Sequence, residues 1–191
     1  MVIDKWMDGS WLRVLNLARS TVNKPDQDAS KEVTRKFRRA ILLAEHSPIR
    51  VLGFGVKLRL KSWISVHFVR HKIGVEHFVT TQRDDRTGVS RDDKPQSASV
   101  EHSMDLNPQS LITVSRKRLC FNAHPETRRE WLGVKQSVAT LDEDVAAVMV
   151  PECIYRGFCP EMTKCNENFD NTPKFQRDLA QYRAMAGWRK Q

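Results

Sequence analysis

Apolar positions along this chain recur first at helical spacing, then at strand spacing, then at helical spacing again. Trp11, Val14, Leu15 and Ala18 fall at three- and four-residue steps, so segment 10–22 predicts a helix ending in the polar stretch Asn23 to Asp28. Val33, Phe37, Ile41 and Leu42 repeat that spacing between Ala29 and Glu45, with Lys and Arg on the opposite face. His46-Ser47-Pro48 stops this second helix, because the residue before a proline is pushed out of the α region. Over 50–60 the period changes. Val51, Phe54, Val56, Leu58 and Leu60 largely alternate with Arg50, Lys57, Arg59 and two glycines, as in a strand with one covered face.

Helical spacing returns from Trp63 to Ile73, with Ser62 as its expected cap and Gly74 as its stop. On that helix His67, Arg70 and His71 stand at i, i+3 and i+4 and share one stripe. Between Arg83 and Asp105 bulky apolar residues almost vanish, which predicts an exposed loop of the kind that often covers a substrate. Asn107-Pro108 then places a cap and a first-turn proline in the expected order, opening a helix to about Asn122. Another helix begins near His124-Pro125-Glu126 and reaches Ala139, and Asp142 to Val150 is a short apolar piece of either type. A cysteine segment and an amphipathic helix from about Pro173 to Trp188 complete the chain, so the pattern as a whole is α+β.

Composition narrows the classes of partner. Thirty-two Lys and Arg against twenty-three Asp and Glu leave a net charge of +9, which favours phosphorylated or polyanionic ligands. No apolar run approaches the roughly 18 residues of a membrane span, and Asp4, Lys5 and Asp8 occupy the region where a secretory signal would be apolar. The expectation is a soluble cytoplasmic protein with no membrane partner. Four cysteines are too few for a disulfide scaffold in 191 residues, and reduced thiols fit better.

Two groups of residues carry candidate chemistry. Arg70-His71-Lys72 followed by Thr81-Gln82-Arg83 sets two cationic clusters a short distance apart, and arginine forks with hydroxyls and amides can surround a phosphate. Taken alone, such charges are as readily a solvated helix end. Asn107, Ser110, Thr113, Lys117 and Arg118 recur at three- and four-residue steps, and that polar stripe would suit a heterocycle edge plus a phosphate, or simply water.

Together these segments resemble the flavin-dependent thymidylate synthases (ThyX). His46-Ser47-Pro48 followed by Arg70-His71-Lys72 is similar to that family's His-x-Ser/Thr-Pro turn and its Arg-His-Arg segment, and Thr81-Gln82-Arg83 resembles the Ser-x-Arg that closes the signature. Asn107-Pro108-Gln109-Ser110-Leu111, Arg118-Leu119-Cys120 and Ala123-His124-Pro125-Glu126 are similar to its second conserved helix and the continuation after it. The likeness covers about residues 44–84 and 105–132. It departs from the family at Pro48-Ile49-Arg50-Val51, at Asp84 in place of a tyrosine, at Gln109 in place of an arginine, and in a short connection from Arg83 to Asn107.

The resemblance implies a small antiparallel sheet packed with several helices over 1–150, with 151–191 as a cysteine-containing extension. It implies a homotetramer with FAD across subunit boundaries, NADPH as reductant and methylenetetrahydrofolate as carbon donor. The substrate would be a deoxyuridine nucleotide, dUMP or a relative, methylated or hydroxymethylated at C5, in a protein of phage or mobile-element type. Ser47, Arg70, His71, Lys72, Asn107 and Thr113 would touch the flavin. His67, Thr81, Gln82, Arg83 and Arg118 would hold the nucleotide, and Arg118 would also polarise the uracil, making it the catalytic residue. The alternative is a non-catalytic relative that binds a nucleotide or nucleic acid, with Arg35, Lys36, Arg38 and Arg39 joining Arg116, Lys117 and Arg118 on phosphates. Cys153, Cys159 and Cys165 could bind zinc, although their spacing is not that of paired knuckles. His46, His77 and His102 receive no role.

Overall fold

The computed structural model describes residues 1–165 and 172–185. Among them, strands β1 (Val2–Asp8), β2 (Gly53–Lys61), β3 (Val75–Val79) and β4 (Ser99–Leu106) form one sheet in the order β1-β2-β4-β3, and every neighbouring pair is antiparallel. The helices are α1 (Trp11–Ser20), α2 (Arg35–Leu43), α3 (Ser62–Val69), α4 (Asp84–Thr87), α5 (Pro108–Arg118), α6 (Pro125–Leu141), α7 (Glu143–Val148), α8 (Glu152–Arg156) and α9 (Pro173–Met185). The fold is α+β, a small antiparallel sheet packed with helices. No described helix is long and apolar enough to cross a membrane.

Alternation decides which face of the sheet is covered. Phe54, Val56, Leu58 and Leu60 of β2 pair with Leu106, Met104, His102 and Val100 of β4, and all eight are buried. The residues between them, among them Lys57, Arg59 and Glu101, point the other way and form ion pairs with one another. Against the apolar face lie α3 and α6, where Phe68 and the fully buried Trp131 meet with ring centroids 5.6 Å apart. The Trp131 indole N–H has a partner in this core: it donates to Ser115 Oγ of α5 at 2.9 Å. A second, smaller cluster of Cys153, Ile154, Phe175 and Leu179 joins α8 to α9.

Several boundaries differ from the sequence expectation, each for a local reason. Residues 29–33 are not helical; α2 starts one turn later, where Thr34 caps it by accepting from Phe37 N. Ser47–Val51 is a short 3-10 turn, so β2 begins only at Gly53. Ser62 is the first residue of α3 and makes no cap bond. That helix ends at Val69, which places Arg70, His71 and Lys72 in the turn after it rather than on it. Gly74 completes the turn at φ +68°, a left-handed conformation that a side chain would strain. The helix expected to run to Asn122 ends at Arg118, and the exposed loop expected over 83–105 ends at Ala98, because Ser99–Leu106 is the central strand β4. The expected helix end at Trp188 lies outside the described residues.

Candidate functional site

The turn after α3 runs beside α5, close to its N-terminus and bonded to its C-terminus. At the N-terminus, Asn107 accepts from Ser110 N at 3.0 Å while Ser110 Oγ accepts from Asn107 N at 2.9 Å, a reciprocal capping box. A Cβ on Gly74 would come within 3.2 Å of Asn107 Nδ2, tighter than an ordinary contact, so a side chain here would crowd the cap. At the C-terminus, half-buried Arg118 reaches back across the turn. Its Nε donates to His71 Nε2 at 2.8 Å and its Nη2 to the His67 carbonyl at 2.5 Å. Residues expected to act together, 47 positions apart in the sequence, therefore meet within one chain.

The electrostatics follow from that packing. Arg118 is a guanidinium held by neutral acceptors; burial and the neighbouring charge of Arg70 both weaken its hold on its proton. Burial, with Arg118 and His77 adding to it, pushes His71 down to about 4, so its ring is neutral and free to accept at Nε2. His67 is lowered by burial first and then by Arg118, Arg70 and His124, and its Nδ1 lies 2.8 Å from the buried Thr127 hydroxyl. Trp63 packs edge-on against His67 and His124 at 5.5 and 4.6 Å, and forms an aromatic wall beside these groups. The Nε side of the Arg118 fork is thus occupied, and its Nη1 group with one Nη2 hydrogen remains for a pair of incoming oxygens.

Several other cations pair with carboxylates. Arg35, Arg38 and Arg39 converge on Asp144, whose side chain is 1% exposed. Arg116 pairs with Glu45 and lies 3.5 Å over the Tyr155 ring, and Lys117 pairs with Glu161. These are the groups expected to carry a nucleic-acid face, and apart from Lys36 and Arg118 they are spent on structure.

The remaining expected residues divide. Arg70 and Lys72 are exposed in the turn beside His71. Thr113 is exposed but donates to the Gln109 carbonyl, Gln109 itself donates to Glu45, and Ser110 is buried in the cap. The stripe from Asn107 to Arg118 is therefore not one continuous polar face. Ser47 borders a cavity of about 520 Å³ between α1, α2 and Pro48. Thr81, Gln82 and Arg83 lie beyond β3, and the Arg83 fork is closed by Asp85 with both contacts at 2.9 Å. Cys153 is buried, and burial with nearby Cys120 raises its thiol to about 11. Among the described residues no group of three or more His, Cys, Asp or Glu is placed to hold a metal.

Sequence reasoning left His77 and His102 without a role, yet both are joined to the site. His77 Nε2 lies 2.8 Å from the His71 carbonyl, His77 Nδ1 lies 2.9 Å from His102 Nε2, and His102 Nδ1 lies 3.0 Å from Ser65 Oγ. Strand pairing brings them there, and only the alternation of Val100, His102, Met104 and Leu106 could have signalled it.

The fold has a counterpart of known structure. The chain is similar to a UMP/dUMP methylase, PolB from Streptomyces cacaoi, solved with 5-Br dUMP: TM-score 0.58 and 14% identity over 77% of this chain and 92% of that one. No family profile and no curated protein sequence matches the chain.

Proposed function

We propose that the chain is a flavin-dependent, ThyX-like enzyme that transfers a one-carbon unit to C5 of a deoxyuridine nucleotide. The observation that carries this reading is Arg118, a half-buried cation whose hydrogen bonds go to an imidazole and a carbonyl while its outer edge stays unspent. A buried charge held by neutral groups favours an anion that completes it. The shared architecture with a nucleotide methylase supports the same reading. In this reading a uracil ring would lie beside the wall of Trp63, His67 and His124, and Arg118 facing a uracil oxygen would stabilise negative charge building there as C5 becomes nucleophilic.

FAD is the cofactor of this reading, with NADPH and methylenetetrahydrofolate as co-substrates. Arg70 and Lys72, exposed beside His71, would supply the cations for its phosphates, and Ser47, which borders a cavity, would be a further contact. Reduced flavin, when bound, supplies the hydride; the chain supplies the cationic cradle and the fixed Arg118. The reading includes a homotetramer, in which Thr81, Gln82 and Arg83 would serve a neighbouring copy. It also keeps 1–150 as the catalytic domain and 151–191 as an extension.

A second reading, a nucleotide-binding protein without catalysis, is favoured by the internal use of Asn107 and Thr113, two expected flavin contacts. Absorbance separates the two. Purified protein with a flavin spectrum that bleaches on NADPH and returns in air supports the enzyme; colourless protein that binds dUMP supports the binder. Arg118→Ala is expected to weaken dUMP by at least about tenfold, the worth of a charge-assisted hydrogen bond, without changing the circular dichroism spectrum. Equal affinity of variant and parent in a calorimetric titration would remove Arg118 from the site.

A further inference from the structure

The hydrogen bonds leading away from His71 have a definite direction. Arg118 Nε can only donate, so His71 accepts at Nε2 and carries its ring proton on Nδ1. The His71 carbonyl can only accept, so His77 Nε2 donates to it. A neutral His77 must then accept at Nδ1, which makes His102 Nε2 the donor and leaves His102 Nδ1 to accept from the Ser65 hydroxyl. Every ring nitrogen of His77 and His102 is satisfied and no charge is needed anywhere along the line. Ser65 and His102 are buried on α3 and β4, and His77 reaches from β3, so one chain of contacts connects three elements of the rigid core to the backbone of the turn.

That turn is little buried: Arg70, Lys72, Ile73 and Gly74 are all exposed, and Ile73 is 93% exposed. The His71 amide donates to the Phe68 carbonyl at 2.9 Å, and the rest of the hold on this residue is the grip on its carbonyl and on its Nε2. We propose that His77, anchored by His102 and Ser65, is a positioning residue for Arg118: it holds the His71 carbonyl, which places the His71 imidazole to receive Arg118 Nε and aims the unspent edge of the guanidinium at the nucleotide.

The inference deepens the proposed function and rests on its reading of Arg118. With His77 in place, one guanidinium orientation is selected before the ligand arrives, so no ordering cost falls on binding. Without it, the His71 carbonyl is released, the turn samples other arrangements, and the fork is aimed correctly only part of the time. The charged and titratable groups around the line are His71, Arg118 and Arg70 at its outer end and His102 at its inner end. Among the described residues none of them pairs with a carboxylate.

The test uses the full chain with three substitutions. His77→Leu removes donor and acceptor; His77→Gln keeps a donor near the Nε2 position; His77→Asn keeps a group only near Nδ1. Two readings are taken, the calorimetric affinity for dUMP and the imidazole nitrogen-15 shifts of His71. His77→Leu is expected to lose about tenfold in affinity, the size of one hydrogen bond, and to convert His71 from a single Nδ1–H tautomer to an exchanging mixture. His77→Gln is expected to recover most of both, and His77→Asn neither.

Unchanged affinity in His77→Leu with an unchanged His71 signal would overturn the positioning role. If His77→Leu does not fold, the Gln and Asn variants decide, since equal behaviour of the two contradicts a role for the Nε2 donor. If the parent chain itself fails to bind dUMP, the proposed function falls. The His71 signal then still reports on the positioning claim independently.

Discussion

Asp144 illustrates what a single side chain can hold. Burial alone would raise its carboxyl, but hydrogen bonds from Arg39 and Arg35 and the charge of Arg38 prevail and keep it below its ordinary value. Asp144→Asn would leave three guanidinium groups facing one another, two of them about a quarter exposed. The expected loss is about 2–3 kcal/mol, less than for a fully dry pair because the arginines keep one side in water; urea unfolding measures it. A group depressed in this way stabilises the fold above its unfolded value, so this contribution disappears only below the normal carboxylate range. His102 behaves differently. Its folded value of about 4 lies below the usual 6.5, with burial the main cause and His77 second. The unfolded chain therefore takes up the proton first as pH falls. Stability is expected to decline from about pH 6.5 and to have lost about 3 kcal/mol near pH 4. Denaturation curves at pH 7.5, 5.5 and 4 should show this decline, and His102→Leu should reduce it, leaving the share of His71, which burial lowers to about 4 as well.

Elements were legible where their signals were local. The start of α5 was readable because Asn107 and Pro108 announce it, and Asn107→Ala is expected to cost about 1 kcal/mol in thermal unfolding through loss of the capping box. The start of α6 was readable at His124-Pro125 for the same reason. By contrast β1 was hidden by Asp4, Lys5 and Asp8, charges that are harmless on an edge strand with one face in water. The central strand β4 was hidden by His102, a polar letter that proves fully buried because Ser65 and His77 satisfy both its nitrogens. The site was half legible. Arg118, His67 and His71 carried motif spacing, although His71 lies past the end of its helix; the line beneath them depends on strand pairing between residues distant in sequence.

The whole molecule is built on two unequal cores. The sheet, α3, α5 and α6 share the larger one, and the smaller joins α8 to α9 through Cys153, Ile154, Phe175 and Leu179. Tyr182 packs against both, so α9 is joined to the larger core as well as to the smaller one. Phe175 is 1% exposed, and Phe175→Ala is expected to cost about 3 kcal/mol within the smaller core. If 151–191 is a separate cooperative unit, amide exchange will accelerate in α8 and α9 and stay unchanged in β2 and β4. Faster exchange throughout would show instead that the chain unfolds as one.

Trp63 gives the molecule a built-in lamp. Its indole packs edge-on against His67, whose hold on a proton is weakened first by burial and then by the cation of Arg118. An oxyanion docking on Arg118 offsets that second influence and takes water away from the wall, and an indole is sensitive to both changes. Arrival of a nucleotide should therefore alter the emission of this residue among the five tryptophans, so that occupancy can be followed in a cuvette without any label.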